Sequence, residues 1–175
     1  MSERAPTEAR TRLEEFLRAE GGSLAAMFRR ALGDPELAMD LLQETMMEAW
    51  RHIETYDTER PFRNWVFRIA ENRLRNRIRR KRLEAARMRP LGDWEPAVAE
   101  LPEAGVMASE RQALLEKALL GLPYEERLCV ILRYQEELSV SDIGEILGAT
   151  PNAVSLRLFH AREKLKSLLG ERRRP

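Results

Sequence analysis

The side chains of this chain best suited to chemistry lie along one side of a single helical stretch near the C-terminus. In Thr150 to Leu169 (TPNAVSLRLFHAREKLKSLL), Asn152, Ser155, Leu156, Phe159 and His160 recur at helical spacing along one side. A solvated helix face normally carries charge, whereas this one carries two hydrogen-bonding groups, a leucine, a phenylalanine and an imidazole. Such a surface is built for contact. Asparagine and serine can read base edges, and apolar carbons can meet thymine methyl groups. Arg157 and Arg162 lie on the flanks, better placed for phosphates.

A second stretch, Asn72 to Arg82 (NRLRNRIRRKR), keeps only Leu74 and Ile78 as an apolar seam and is otherwise nearly all arginine. Like charges at that density repel unless anions lie nearby. Guanidinium groups pair bidentately with phosphate and release counterions, so backbone contact is the natural use of Arg75, Arg79 and Arg80. A basic solvated helix, or a targeting or RNA-binding patch, is the alternative. Phe62 and Trp65 just upstream could stack on unpaired bases, worth about 1–3 kcal/mol each. At helical spacing, the core is the expected place for at least one of them.

No catalytic constellation accompanies these residues. His52 and His160 are the only histidines and fall in different predicted domains. No Cys/His metal spacing and no glycine-rich phosphate loop before a helix is present. Cys129, the only cysteine, sits in the apolar run Leu128 to Leu132 and reads as a buried structural thiol. The sequence predicts a protein that is not an enzyme, with no cofactor and no metal.

The elements that must position these residues are legible locally. Ser139-Val-Ser-Asp142 is a capping box opening a helix with Ile143, Ile146 and Leu147 on one side, closed at Gly148. Thr150 as N-cap and Pro151 at the first position start the next helix, whose stripe Val154, Leu158, Ala161, Leu165 and Leu168 must be buried. Helix, glycine-containing turn, helix is the pattern whose second member enters the DNA major groove; an ordinary helical hairpin is the alternative. Helices over 109–121 and 123–134 precede it. Leu115, Leu119, Leu122, Leu128, Ile131 and Leu132, with Ile143, Ile146 and Leu147, can close a four-helix core.

Towards the N-terminus, 7–19 reads as a helix with Leu13, Phe16 and Leu17 inward, ended by Gly21-Gly22, and Ser23 to Leu32 as a second with Leu24, Met27 and Phe28. Asp34-Pro35 starts a helix running to about Ile53 with Ala38, Leu42, Met46, Ala49 and Ile53 buried. Asp40, Gln43, Glu44, Met47 and Arg51 share its opposite side, which periodicity alone assigns to solvent. A turn over Tyr56 to Arg60 leads to Pro61 and a long helix beginning Phe62, Trp65, Val66, Ile69 and Ala70.

Composition sets the frame. The 175 residues are 43% hydrophobic and 34% charged, which suits a helix-rich globular chain. No apolar run approaches a membrane span and the N-terminus has no signal core, so a cytoplasmic protein without membrane insertion is expected. The net charge of +1 hides an uneven distribution: residues 63–89 hold eleven basic and two acidic groups, residues 151–175 seven and two, and the remainder is acidic. Two basic islands in an acidic background predict two separate contacts with a polyanion. From Pro90 to Ala108 there are three prolines, two glycines and no basic residue, the composition of a linker. The fold class expected is all-α: two small helical domains joined by an acidic Pro/Gly-containing linker, the second a helix-turn-helix (winged-helix-like) DNA-binding domain. The boundaries are 1–89, linker 90–108, 109–170, and a basic tail over 171–175.

These segments together resemble the sigma-70 family of bacterial transcription initiation factors, specifically its extracytoplasmic-function (ECF) group. The matches are Asp40-Leu-Leu-Gln-Glu-Thr-Met-Met-Glu-Ala-Trp-Arg51, Phe62-Arg-Asn-Trp65 and Ile69-Ala-Glu-Asn72 with its arginine run, then Leu122-Pro123 through Tyr134, Ile143 to Gly148, and Val154 to Leu165. The resemblance implies that residues 1–89 are the sigma region 2 domain and 109–170 the region 4 domain. It implies that Asp40, Leu41, Gln43, Glu44, Met47 and Arg51 dock on core RNA polymerase, overturning the solvent assignment. It gives melted minus 10 DNA to Tyr56, Phe62, Arg63, Asn64, Trp65, Asn72, Arg75, Arg79 and Arg80. It gives the duplex minus 35 element to Asn152, Ser155, Leu156, Arg157, Phe159, His160 and Arg162. An anti-sigma factor joins the candidate partners. The chain departs from the family where lysine or arginine is usual at Ser155, arginine at His160 and an acid at Asn76, so its groove face is almost uncharged. A stand-alone helix-turn-helix regulator is the alternative function; it leaves Asp40 to Trp50 and the arginine helix without a job.

Overall fold

The computed structural model describes residues 4–88 and 110–170. Its elements are α1 (Arg4–Leu32), α2 (Pro35–Arg51), a 3-10 turn (Ile53–Thr55), α3 (Phe62–Met88), α4 (Glu110–Leu120), α5 (Tyr124–Tyr134), α6 (Val140–Leu147) and α7 (Pro151–Gly170). Among the described residues there is no strand, and no helix is long and apolar enough to cross a membrane. The predicted linker and the basic tail lie outside the described residues.

The first departure from sequence expectation is α1, one helix where two were expected. Gly21-Gly22 does not end it, because the buried positions Leu13, Phe16, Leu24, Met27, Phe28 and Ala31 stay in helical phase across the pair. A glycine inside a helix costs about 1 kcal/mol, less than the burial lost if that stripe were broken. Continuity also turns Leu17, expected inward, to the solvent side, where it is exposed. The helix ends at Gly33, whose φ of 71° is left-handed and whose N–H donates to the Arg29 carbonyl at 2.7 Å.

Asp34 then caps α2 as its sequence predicts, Oδ1 accepting from the Leu37 N–H at 3.1 Å. The helix packs between α1 and α3, so its buried arc is wider than a single stripe. Ala38, Ala49 and Ile53 are buried and Leu42 and Met46 half-buried as expected, but Leu41 and Thr45 are also sealed in. In α3 the buried seam is Val66, Phe67, Ala70 and Leu74, with Phe62, Trp65, Ile69 and Ile78 half-buried.

In the C-terminal unit, α5 buries five consecutive residues, Leu128 to Leu132, because α7, α6 and α1 enclose it. Burial pushes the Cys129 thiol up to about 11, the signature of a structural cysteine. Leu119, Leu122, Leu128, Ile131, Leu132, Ile143 and Ile146 form the expected core, joined by Val154, Leu158 and Ala161 of α7. Leu115 and Leu168 are the exceptions, both exposed. Leu168, in the last turn of α7, only reaches the rim of that core, near Gly121.

The two units meet along α1, against α4 and α5, and along α3, against α6. The buried Arg127 guanidinium donates from Nη1 to the Ala31 carbonyl at 2.6 Å and from Nη2 to the carbonyls of Leu120 and Leu122, each at 2.9 Å. Burial lowers its pKa to about 10, so it remains charged at neutral pH. It thereby satisfies chain-end carbonyls from both sides of the junction.

Candidate nucleic-acid interface

The helix-turn-helix is fixed by three caps. Ser139 Oγ accepts from the Asp142 N–H at 3.0 Å, Gly148 closes α6 with φ 63°, and Thr150 Oγ1 accepts from the Ala153 N–H at 3.2 Å. Gly144 lies against the turn so closely that a Cβ there would come 2.7 Å from the Ala149 carbonyl oxygen. With Val154, Leu158 and Ala161 buried, the opposite side of α7 is free. Asn152, Ser155, His160 and Arg162 are exposed, as are Leu156 at 56% and Phe159 at 52%. The Phe159 and His160 rings are neighbours, with centroids 5.9 Å apart. Arg157 differs from the rest: it turns back to Glu125 and Cys129 on α5.

The turn before α3 is self-supporting. Asp57 Oδ1 accepts from the Glu59 N–H at 3.0 Å, and Tyr56 Oη donates to the Arg60 carbonyl at 2.7 Å. The Tyr56 ring stands edge-on to Phe62 at 4.9 Å, and Trp65 lies 5.5 Å from each of them. Phe62 continues inward to Phe16 at 6.1 Å. Phe62 and Trp65 therefore straddle the two roles considered for them, anchored to the core at one end and half-exposed at the other.

The arginine helix is partly neutralised from within. Arg73 pairs with Glu48, Arg75 with Glu71 at 2.6 Å and Arg77 with Glu44 at 3.5 Å. Burial pushes the Glu48 carboxyl up, but Arg73, with His52 and Arg51, more than offsets it and holds the group below the ordinary range. Asn72, Arg79 and Arg80 are exposed. A cavity of about 640 Å³ opens where α3 faces the start of α5 and α7, bringing Arg75, Arg79 and Arg157 to one cleft beside Tyr124.

Glu71 behaves differently. It is buried, and burial raises its pKa despite the adjacent Arg75. A carboxyl whose folded pKa is raised contributes its stability fully below the unfolded pKa and loses it as pH rises through the folded value. Glu71→Gln is therefore expected to raise the melting temperature at pH 8 by roughly 2 °C, with the gain vanishing on acidification. Thermal unfolding from pH 5 to 8 measures it, and a gain that grows towards acid would contradict the assignment.

On α2, Asp40, Gln43, Glu44 and Arg51 are exposed, and three large apolar side chains share that surface: Met39 at 50%, Met47 at 55% and Trp50 at 46%. Trp50 receives the Arg10 guanidinium over its ring at 5.2 Å. Met39 and Trp50 escape a periodicity search aimed at buried residues; the signal for them is an apolar residue on the polar side. Leu41 belongs to the buried side, so among the residues grouped as a docking set it is the one unable to offer its side chain to a partner.

Not all the residues expected on the minus 10 side face outward. Asn64 is buried and donates from Nδ2 to Asp142 Oδ1 at 2.7 Å, and Arg63 is engaged by Glu20 and Glu136, each at 2.9 Å. These partners lie in α1 and, for Asp142 and Glu136, in the C-terminal unit.

Comparison with known proteins places this geometry. Residues 16–84 match the family model for sigma-70 region 2 and residues 112–165 that for sigma-70 region 4. The chain is 34% identical over 150 residues to the ECF RNA polymerase sigma factor SigW of Bacillus subtilis, covering 81% of this chain and 80% of that protein. It is 34% identical over 159 residues to the RNA polymerase sigma factor CnrH of Cupriavidus metallidurans, covering 86% and 83%. Among solved structures, it superposes on the sigma factor RpoE in complex with the anti-sigma factor NepR from Bartonella quintana with a TM-score of 0.74 and 25% identity, covering 90% of this chain and 96% of that one. It superposes on CnrH in complex with the cytosolic domain of CnrY with a TM-score of 0.68 and 27% identity, covering 96% and 94%.

Proposed function

The chain belongs to the sigma-70 family, in its extracytoplasmic-function group, and on that premise we propose how its surfaces divide the work of transcription initiation. As a sigma factor it binds core RNA polymerase and directs promoter recognition and opening. Residues 1–89 act as the region 2 domain, 90–108 as the linker and 109–170 as the region 4 domain. On α2, Asp40, Gln43, Glu44, Met47 and Arg51 face the polymerase, with Met39 and Trp50 added by their exposure. Tyr56, Phe62 and Trp65 stack on bases of the opened minus 10 element while Arg63, Asn64, Asn72, Arg75, Arg79 and Arg80 hold its strand. Asn152, Ser155, Leu156, Phe159 and His160 read the minus 35 element in the major groove, with Arg162 towards phosphate, while Arg157, turned back to Glu125, braces α7 on α5. The protein works in the cytoplasm, where polymerase and promoter are. An anti-sigma factor is a fitting partner, since RpoE and CnrH are each bound by one or by a partner's cytosolic domain in the structures this chain resembles.

The observation that carries this reading is the uncharged, fully presented face of α7 on a chain that also has an exposed apolar strip on α2. A stand-alone regulator would leave that strip and residues 16–84 without a role. Reconstituted transcription tests it: core polymerase plus this protein should start at one defined site on a cognate promoter, with neither component sufficient. Tight, site-specific duplex binding by the protein alone, with no effect on polymerase, would favour the regulator instead.

A further inference from the structure

The face that α7 turns to the minus 35 element is apolar at its centre and short of charge around it. Leu156 and Phe159 stand three residues apart on one side of the helix, each more than half-exposed. The Phe159 ring lies beside that of His160. Of the arginines and lysines of α7, Arg157 turns to Glu125, Lys164 donates to both carboxylate oxygens of Glu126 at 2.9 Å, and Lys166 pairs with Glu163 at 2.7 Å. Glu125 and Glu126 belong to α5, so the first two of these cations point away from the groove side. Arg162 is the remaining one, and it is exposed.

Neither leucine nor phenylalanine has a hydrogen bond to give a base edge. Pressed against adenine, guanine or cytosine in the major groove, each would strip water from an amino group, O6 or N7 and return no partner. Thymine presents carbon there, its C5 methyl group. The penalty on the wrong base and the gain on the right one therefore act in the same direction. Three residues advance an α-helix by about 4.5 Å, close to the roughly 3.4 Å between successive base pairs, so the two side chains reach neighbouring steps. A face that drew its selectivity and affinity mainly from phosphate would hold its cations outward; here Arg157 and Lys164 brace α7 on α5 instead.

We propose that this chain selects its minus 35 element by the C5 methyl groups of two thymines at neighbouring base pairs, one against Leu156 and one against Phe159. Asn152, Ser155 and His160 supply the hydrogen bonds beside them. The recognised feature is the methyl group and not the base that carries it, so 5-methylcytosine at either position is bound more tightly than cytosine. The inference rests on the reading of α7 as the minus 35 reader and adds the chemical group on which its choice turns.

The test uses the full chain bound to core polymerase. A randomised duplex library is selected in parallel with the parent and with Leu156→Ala/Phe159→Ala, both exposed positions where folding is not at stake; the base pairs whose preference disappears in the variant are those read by this face. They are expected to be two neighbouring thymine-containing pairs. A retained duplex is then rebuilt with uracil in place of those thymines, which removes only the methyl groups, and separately with cytosine or 5-methylcytosine there, which differ only by them. Parent affinity is expected to fall about fourfold for each thymine changed to uracil and about fifteenfold for both, and to rise about fourfold for each cytosine changed to 5-methylcytosine. The variant should bind each pair of duplexes equally. Uracil and thymine duplexes bound alike by the parent, or a lost preference at pairs without thymine, would overturn methyl selection while leaving α7 as the reader. Identical sequences selected by parent and variant would instead remove this face from minus 35 reading altogether, and the inference with it.

Discussion

Replacing Met47 and Trp50 together by alanine is expected to weaken association with core RNA polymerase by about a hundredfold while leaving the melting temperature within about 2 °C of the parent. Both side chains are roughly half-exposed on α2 and, with Met39, occupy positions 39, 47 and 50 along one helical face, with Gln43 between them. Solvent-facing methionine and tryptophan are depleted on surfaces that stay wet and enriched at the centres of interfaces. Two anchors that become buried on association, at about 2 kcal/mol or less each, give the stated loss, because about 1.4 kcal/mol is tenfold. The helix itself does not depend on them: its packing comes from Ala38, Leu41, Thr45 and Ala49 on the other side. Trp50 does hold Arg10, a half-exposed contact worth about 0.5–1 kcal/mol, so a small thermal shift is expected. Fluorescence titration of polymerase measures the affinity. A double variant that binds like the parent would move the docking surface elsewhere.

The sequence made the ends of most helices legible because caps are local. Asp34-Pro35, Ser139 with Asp142, Gly148 and Thr150-Pro151 each make their bonds within four residues, and the structure places every one as expected. Errors arise where the outcome depends on distant packing. Gly21-Gly22 carries the local signature of a stop, but α1 runs through it to bury one continuous face against α2 and α3. Leu17, Leu115 and Leu168 satisfy an inward period yet lie beyond their neighbours' reach. Leu41 falls within a motif read as a contact surface, yet it packs inward because α2 is covered on two sides.

The candidate site divides along the same line. The free face of α7 is readable because one helix defines it: Val154, Leu158 and Ala161 fix the buried side, and what remains is the groove side. The surroundings of Arg63 and Asn64 are not, since their partners are 73 and 78 residues away. Sequence alone offers Glu136, Asp142 and Glu145 as three acids among many. Only tertiary placement shows that they meet a guanidinium, an amide and a second guanidinium on one segment.

The two glycines of the helix-turn-helix make the same distinction testable at one motif. Gly148 is needed for conformation: its φ is 63°, and nothing lies within 4 Å of the place a Cβ would take, so Gly148→Asn should be nearly neutral and Gly148→Ala should cost about 1 kcal/mol. Gly144 is needed for space. A Cβ at that position would stand 2.7 Å from the Ala149 carbonyl oxygen and 3.7 Å from Pro151 N, both backbone atoms. The turn cannot retreat cheaply, because Gly148 closes it on one side, Thr150 and Pro151 open α7 on the other, and the Ala149 N–H donates to the Gly144 carbonyl at 2.9 Å. Relief must come from moving α6 away from α7, against the packing of Ile143 and Ile146 on Val154 and Leu158. Gly144→Val is expected to destabilise the C-terminal unit by about 3 kcal/mol, the upper range for overpacking. The recognition face would tilt with α7, and promoter-directed transcription should fall more than about tenfold, since base contacts tolerate little displacement. Polymerase association through α2 should persist at near-parental strength. Chemical denaturation, run-off transcription and polymerase binding on the same preparation separate these effects. Equal loss at Gly148→Asn would show that the turn is simply fragile, and unimpaired transcription by Gly144→Val would remove the helix-turn-helix from promoter selection.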